Sequence, residues 1–107
     1  PRRAGNLTMP IDITEYSSLA MDAQGRIILV GQEPSRTNQQ LTPGVSSTQS
    51  AAFDDATRFV RLHTDANCRW AIGPNPTASS TSPRLPAGVT EYIGVRPGHK
   101  IAVIQSS

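Results

Sequence analysis

The sequence predicts an all-β fold, which we expect to be an antiparallel β-sandwich or jelly-roll-like single domain with an extended N-terminal arm and long loops. Two observations carry this prediction. Apolar and polar side chains alternate over several short runs, and clusters of Pro, Gly, Ser and Thr separate these runs. No helix of ordinary length is visible, and 107 residues make one domain. We therefore divide the chain into an arm over residues 1–10, for which a frayed terminus is the alternative, and a sandwich over residues 11–107.

Seven runs have the composition of a strand. Residues 19–21 and 26–30 flank a turn that contains Gly25, which predicts a hairpin. We expect a second hairpin around the turn at 64–67, with Cys68 and Trp70 on the face that points into the core. The predicted strands are 11–16, 19–21, 26–30, 57–63, 68–72, 91–95 and 100–104.

Two stretches between these runs are predicted to be loops. Residues 31–50 have no apolar period, and irregular segments of this length inside a compact domain are often binding loops. Ser46 and Gln49 have the spacing of a helix capping box, so a short helix over about 47–56 and a strand remain alternatives. Residues 74–86 contain four prolines, and we interpret them either as a solvated spacer or as a segment that lies on a neighbouring subunit.

Composition and charge limit the classes of partner. A single cysteine excludes an internal disulfide and favours assembly in a reducing cytoplasm, where a small chain often gains stability by forming oligomers. No apolar run reaches the length of a membrane span. Nine of the ten basic residues are arginines, those at 58, 61, 69, 84 and 96 are scattered singly, and aromatic residues are only 5% of the chain. This distribution argues against a nucleic-acid partner, and the arginines are either solvated or paired with carboxylates of a protein partner.

The sequence contains no arrangement that is typical of an enzyme, so we predict no catalytic, cofactor-binding or metal-binding residues. A nucleophile–base pair requires Cys68 with His63 or His99, but alternation places Cys68 in the core, the usual position of a lone cysteine. The two histidines are 36 positions apart, which is not the spacing of a zinc site. Asp54 and Asp55 are adjacent, so a turn or a cap describes them better than a metal site.

Trp70, Tyr16 and Tyr92 are candidates for a sugar-stacking platform. Aromatic residues dispersed in this way are more often core residues or interface anchors. The two interpretations differ in exposure, because a platform requires an exposed Trp70 or Tyr92 and alternation predicts that Trp70 is buried.

The second half of the chain carries a series of short motifs, which are 56–62 (ATRFVRL), 73–78 (GPNPTA), 84–88 (RLPAG), 91–95 (EYIGV) and 97–104 (PGHKIAVI). Through these motifs, residues 50–107 resemble small structural proteins of tailed bacteriophages, of the capsid decoration (cement) type. The resemblance implies a β-sandwich or jelly roll that binds the outside of an icosahedral head, often as a trimer or dimer. It carries over no catalytic residue, and it leaves a position at the head, the portal or the tail open.

The resemblance, with which the small all-β composition agrees, leads us to expect a virion structural protein, a capsid decoration protein that bridges and stabilises adjacent capsomers on the outer surface of a tailed-phage head. The expected partners are the major capsid protein and further copies of this chain, as a trimer or dimer, with no nucleic acid, membrane or cofactor. We expect assembly in the host cytoplasm. The candidate partner-binding residues are Arg2, Arg3, Arg84 and Leu85. The alternatives are a sugar- or host-surface-binding β-sandwich module on a phage tail or fibre, and a small enzyme.

Overall fold

The computed structural model describes residues 10–106, and this part of the chain forms β-strands without a helix. The all-β prediction is confirmed, and each of the seven predicted strands is present within two residues of its predicted bounds. The predicted arm lies, apart from Pro10, outside the described residues. The strands are β1 (Ile11–Tyr16), β2 (Leu19–Met21), β3 (Ile27–Gly31), β4 (Thr37–Leu41), β5 (Thr48–Gln49), β6 (Phe59–Thr64), β7 (Cys68–Gly73), β8 (Arg84–Leu85), β9 (Thr90–Gly94) and β10 (Lys100–Gln105).

Eight of these strands form two antiparallel sheets that face each other across the core. The first sheet has the order β4-β1-β6-β9, and the second has the order β5-β10-β7-β8. From β4 onward the chain passes repeatedly from one sheet to the other, which is the double-sheet arrangement of jelly rolls. Strands β2 and β3 pair only with each other and form a separate hairpin.

The hairpin predicted around the turn at 64–67 is wrong, because β6 and β7 lie in different sheets. Thr64 is buried, and its hydroxyl donates to the carbonyl of Ala66 at 2.6 Å and accepts from the amide of Ala66 at 3.2 Å. This tight turn carries the chain from the first sheet to the second. The apolar residues of β6 and β7 therefore meet across the core and not side by side.

The core consists of side chains that alternate inward from both sheets, as the period of a strand requires. Its buried members are Ile11, Ile13, Phe53, Val60, Leu62, Cys68, Leu85, Ile101 and Val103. Cys68 is fully buried, as predicted. Trp70 packs against this cluster but is only partly buried, and within the described residues its indole N–H has no hydrogen-bond partner.

Polar contacts order the two segments that have no apolar period. The loop prediction for residues 31–50 is wrong at β4, which pairs with β1 at the edge of the first sheet, and at β5, which pairs with β10. No helix forms over residues 47–56. The loop 74–86 lies against this chain's own second sheet, where Gln49 Nε2 donates to Asn75 Oδ1 at 2.8 Å and Ala78 is buried. The burial of Ala78 and Leu85 shows that these residues are not part of a solvated spacer, and a contact of the exposed residues of this loop with a neighbouring subunit stays a prediction.

Candidate interaction surfaces

The hairpin of β2 and β3 is fixed to the first sheet at its root by Tyr16. The Tyr16 ring packs on Gly31, where a Cβ atom would lie 2.5 Å from the ring carbons. The Tyr16 hydroxyl donates to Glu33 Oε2 at 2.6 Å, and this hydrogen bond, followed by burial, raises the pKa of Tyr16 to about 12. The amide of Gln32 donates to the carbonyl of Ser18 at 3.0 Å and closes the root.

The turn of the hairpin is formed by its own polar groups. Asp22 Oδ1 accepts the amides of Gln24 and Arg26, both at 2.9 Å, and Asp22 Oδ2 accepts from Arg26 Nε at 2.8 Å. The Arg26 amide is the main cause that lowers the pKa of Asp22. Gly25 has a φ of 79°, the left-handed conformation that this turn needs. The turn of the hairpin is therefore shaped by contacts within this chain.

Both faces of the hairpin beyond its root are apolar and exposed. Alternation along β3 puts Ile27 and Leu29 on one face, together with Met21 from β2, and their exposed fractions are 63%, 81% and 62%. Ile28 and Val30 lie on the other face and are 42% and 47% exposed. Isolated apolar residues on a surface are ordinary, whereas a contiguous group of this kind is a candidate interaction surface.

The outer face of the first sheet, which points away from the core, forms a second surface. The register places Asn38, Thr14, Arg61 and Tyr92 side by side on β4, β1, β6 and β9, and we call these four residues the cross-strand row. A cleft of about 580 Å³ opens over the β4 side of this row, and its walls include the side chains of Asp12 and Gln40. This volume is in the range of small-molecule sites, ~300–1,000 Å³.

The two sides of the cross-strand row differ in character. On one side Gln40 Nε2 donates to Asp12 Oδ1 at 2.7 Å. On the other side an aromatic series begins with Tyr16, whose ring centroid is 5.3 Å from that of Phe59, and continues to Tyr92 at 6.0 Å from Phe59. Tyr92 is 46% exposed, whereas the hairpin root covers Tyr16.

A buried carboxylate lies behind this surface, on the inner side of β1. Glu15 is fully buried and accepts three hydrogen bonds of 2.8 Å, from Thr57 Oγ1, from the amide of Asp54 and from Gln39 Nε2. Gln39 is oriented in turn by the amide of Ala51, which donates to its Oε1 at 2.9 Å. These contacts attach β4 and residues 51–57 to the sandwich.

Asp54 stabilises the same segment. Its Oδ1 accepts the amide of Ala56 at 2.9 Å, and Arg36 Nη2 lies 2.9 Å from the same oxygen. The Ala56 amide first, and Arg36 second, lower the pKa of Asp54. Asp54 therefore forms a turn, as the sequence indicated for the pair that it makes with Asp55.

The residues considered for catalysis do not come together. Cys68 points into the core, where burial raises the pKa of its thiol, and its Sγ lies 3.8 Å from Thr64 Oγ1. His63 lies on the outer face of the first sheet, with Nδ1 2.8 Å from Thr90 Oγ1. Over residues 10–106 no group of His, Cys, Asp and Glu side chains could hold a metal ion.

The four candidate partner-binding residues are distributed as follows. Arg2 and Arg3 lie outside the described residues. Arg84 is exposed on β8, and its contact with a partner stays a prediction. Leu85 is fully buried beside Cys68, so its side chain packs in the core and is not presented to a partner. The sequence predicts the hairpin only as a pair of strands. In the structure five of its apolar side chains are exposed.

Comparison of the chain with protein-family models, with curated proteins and with solved structures finds no match. In the described part of the chain, no helix has the length and hydropathy needed to cross a membrane.

Proposed function

We propose that this chain is a virion structural protein, a capsid decoration protein that binds the outer surface of a tailed-phage head as a homo-oligomer. In this function it bridges adjacent capsomers and stabilises the particle. The observation that carries the proposal is the hairpin, because its apolar surface needs a protein to cover it. The resemblance of residues 50–107 to phage head proteins supports the choice of partner.

The size of the hairpin surface agrees with a protein interface. Its five exposed apolar side chains present roughly 500 Å² over the two faces together, the scale of the largest patch on a typical monomer. The proposed interface therefore has the hairpin as its centre and polar residues of the sandwich at its rim.

The two-sided character of the hairpin favours a bridging role. Leu29 on one face and Val30 on the other are both exposed, so one flat partner surface leaves one face in water. A hairpin that lies between two neighbours buries both faces, and repeated subunits of a shell or an oligomer supply such neighbours. Binding only to the expanded shell then stabilises that shell by mass action.

The test is to mix the purified chain with expanded heads that lack decoration, and to measure bound copies per head and resistance to heat and chelators. We expect stoichiometric binding and greater resistance. Leu29→Lys should weaken binding at least about thirtyfold, because a charge replaces an apolar anchor at the centre of the interface. Val45→Lys is the matched control, since Val45 is also 81% exposed but lies outside the hairpin.

Two outcomes contradict different parts of the proposal. Failure of expanded heads to take up the wild-type chain contradicts the proposal. Equal losses for Leu29→Lys and Val45→Lys contradict the assignment of the hairpin as the binding element. Circular dichroism of both variants establishes that each retains the β-sheet fold.

A further inference from the structure

We propose that the outer face of the first sheet is a binding site for a neutral oligosaccharide, which lies along the cross-strand row from the cleft at Asn38 to the ring of Tyr92. This site is separate from the hairpin and does not depend on the proposed decoration function.

The polar groups in the cleft match the hydroxyl groups of a sugar. Asn38 and Gln40 carry amides, which both donate and accept, and Asp12 carries a carboxylate, which accepts. Sugar hydroxyls also donate and accept, so adjacent hydroxyls match these planar groups in pairs. Asp12 already accepts one hydrogen bond from Gln40, which leaves other lone pairs of its carboxylate for a ligand.

Arg61, at the centre of the cross-strand row, has no ion-pair partner among the described residues. Its side chain lines the cleft, and within residues 10–106 no carboxylate lies within ion-pair distance of it. Its guanidinium donors are thus available to hydroxyl and ring oxygens of a ligand. Because Asp12 balances this charge in the same cleft, a neutral ligand fits better than a strongly anionic one.

Tyr92 forms the aromatic end of the cross-strand row. Tyr92 stands opposite Arg61 in the register, and its neighbour Gly94, opposite Phe59, adds no side chain beside it. The exposed Tyr92 ring offers an apolar face, on which the C–H face of a sugar ring can stack, and a hydroxyl at its tip. A sugar platform needs such an exposed aromatic residue, and Tyr92 meets this condition, whereas Trp70 is on the inner side of the second sheet.

The length of the row sets the size of the ligand. Three strand intervals separate β4 from β9, which at ~4.8 Å per interval gives a site about 14 Å long, enough for about two or three linked sugar rings. A single sugar bound in the cleft cannot also reach Tyr92. Longer ligands should therefore bind more tightly than the monosaccharides of which they consist.

The experiment uses the full chain and saturation-transfer difference NMR with cellotriose, maltotriose, chitotriose and mannotriose, with sialyllactose as the acidic probe. We expect at least one neutral trisaccharide to bind, with signals from protons of all its rings, and more tightly than its monosaccharide. Binding of none of the neutral trisaccharides up to about 10 mM, or binding of sialyllactose alone, overturns the proposal.

Variants then locate the site. Tyr92→Ala and Arg61→Ala should each weaken binding about tenfold or more. The unfolding transition of Arg61→Ala should stay near that of the wild type, whereas Tyr92→Ala also loses the contact with the Phe59 ring, so its binding is measured at a temperature where circular dichroism shows the variant folded. Arg69→Ala is the matched control, because Arg69 lies on the second sheet and contacts the carbonyl of Ser82. A loss of affinity with Arg69→Ala equal to that with Arg61→Ala contradicts the assignment. The assay contains no phage heads, so its result is independent of capsid binding.

Discussion

Replacement of Glu15 by glutamine should destabilise the protein, although the glutamine side chain has nearly the same size and shape. Glu15 accepts a hydrogen bond from Gln39 Nε2 at 2.8 Å, and the new amide can present its own N–H donors there. Gln39 cannot rotate to offer its oxygen, because that oxygen already accepts the amide of Ala51 at 2.9 Å. The substitution therefore sets donor against donor at a buried position, where an unsatisfied polar group costs about 1–3 kcal/mol.

We expect Glu15→Gln to lower the free energy of unfolding by about 2 kcal/mol, which for a domain of this size lowers the Tm by about 8–16 °C. Glu15→Ala should cost more, about 4 kcal/mol, because it leaves three donors unsatisfied and opens a cavity. The assay is chemical and thermal unfolding at one fixed protein concentration, so that oligomer formation does not shift the midpoint.

A double-mutant cycle tests the geometric reason. In the Glu15→Gln, Gln39→Glu variant, residue 39 keeps an oxygen for the amide of Ala51, and the amide at residue 15 donates to the new carboxylate. We expect the double variant to be about 1 kcal/mol more stable than the sum of the single changes predicts. Additive single changes, or a Glu15→Gln variant as stable as the wild type, would refute this account of the network.

Three further predictions follow from the described contacts. Gly31→Ala should lower stability by about 1–3 kcal/mol in thermal unfolding, because its Cβ would lie 2.5 Å from the Tyr16 ring and displace it. The Cys68 thiol is buried with a raised pKa, so a thiol reagent at pH 8 should react with it rapidly only after denaturant is added. Asp54 has a lowered pKa, so its carboxylate stabilises the fold above its usual pKa of 3.8 and this contribution is lost as the pH falls below that value. Arg36→Ala removes one cause of this shift, and its stability should fall less than that of the wild type as the pH is lowered through 3.8.

The sequence was informative where a strand has one apolar face and turn residues at its ends. Strand β1 shows this, since Ile11 and Ile13 alternate inward and fix the period. The same period, continued by one step, places Glu15 on the inner face, and this was the available signal for the buried carboxylate. Tyr16 then falls on the outer face, where an apolar ring is stable because the hairpin root covers it.

The exposure of the hairpin could not be predicted from pattern alone. Four consecutive apolar residues, Ile27 to Val30, predict a strand that is buried on both faces. They do not indicate whether the chain itself or another molecule buries them. In the structure β3 pairs only with β2, so the apolar run lies outside the core and is exposed.

Strand β4 connects the buried Glu15 network with the proposed saccharide site. The hairpin is not part of this connection, so variants can test the saccharide site and the hairpin separately. Its inward Gln39 binds Glu15, and its outward Asn38 and Gln40 line the cleft. A strand with this Thr-Asn-Gln-Gln-Leu sequence has little apolar surface to hold it at a sheet edge, so the Glu15–Gln39 hydrogen bond contributes to the position of the cleft wall. Glu15→Gln should therefore weaken trisaccharide binding several-fold in the NMR titration at a temperature where the variant is folded. Leu29→Lys, which changes the hairpin alone, should leave that affinity unchanged. If Glu15→Gln binds the trisaccharide as tightly as the wild type, the backbone pairing of β4 with β1 is sufficient to form the cleft, and the buried carboxylate serves stability only.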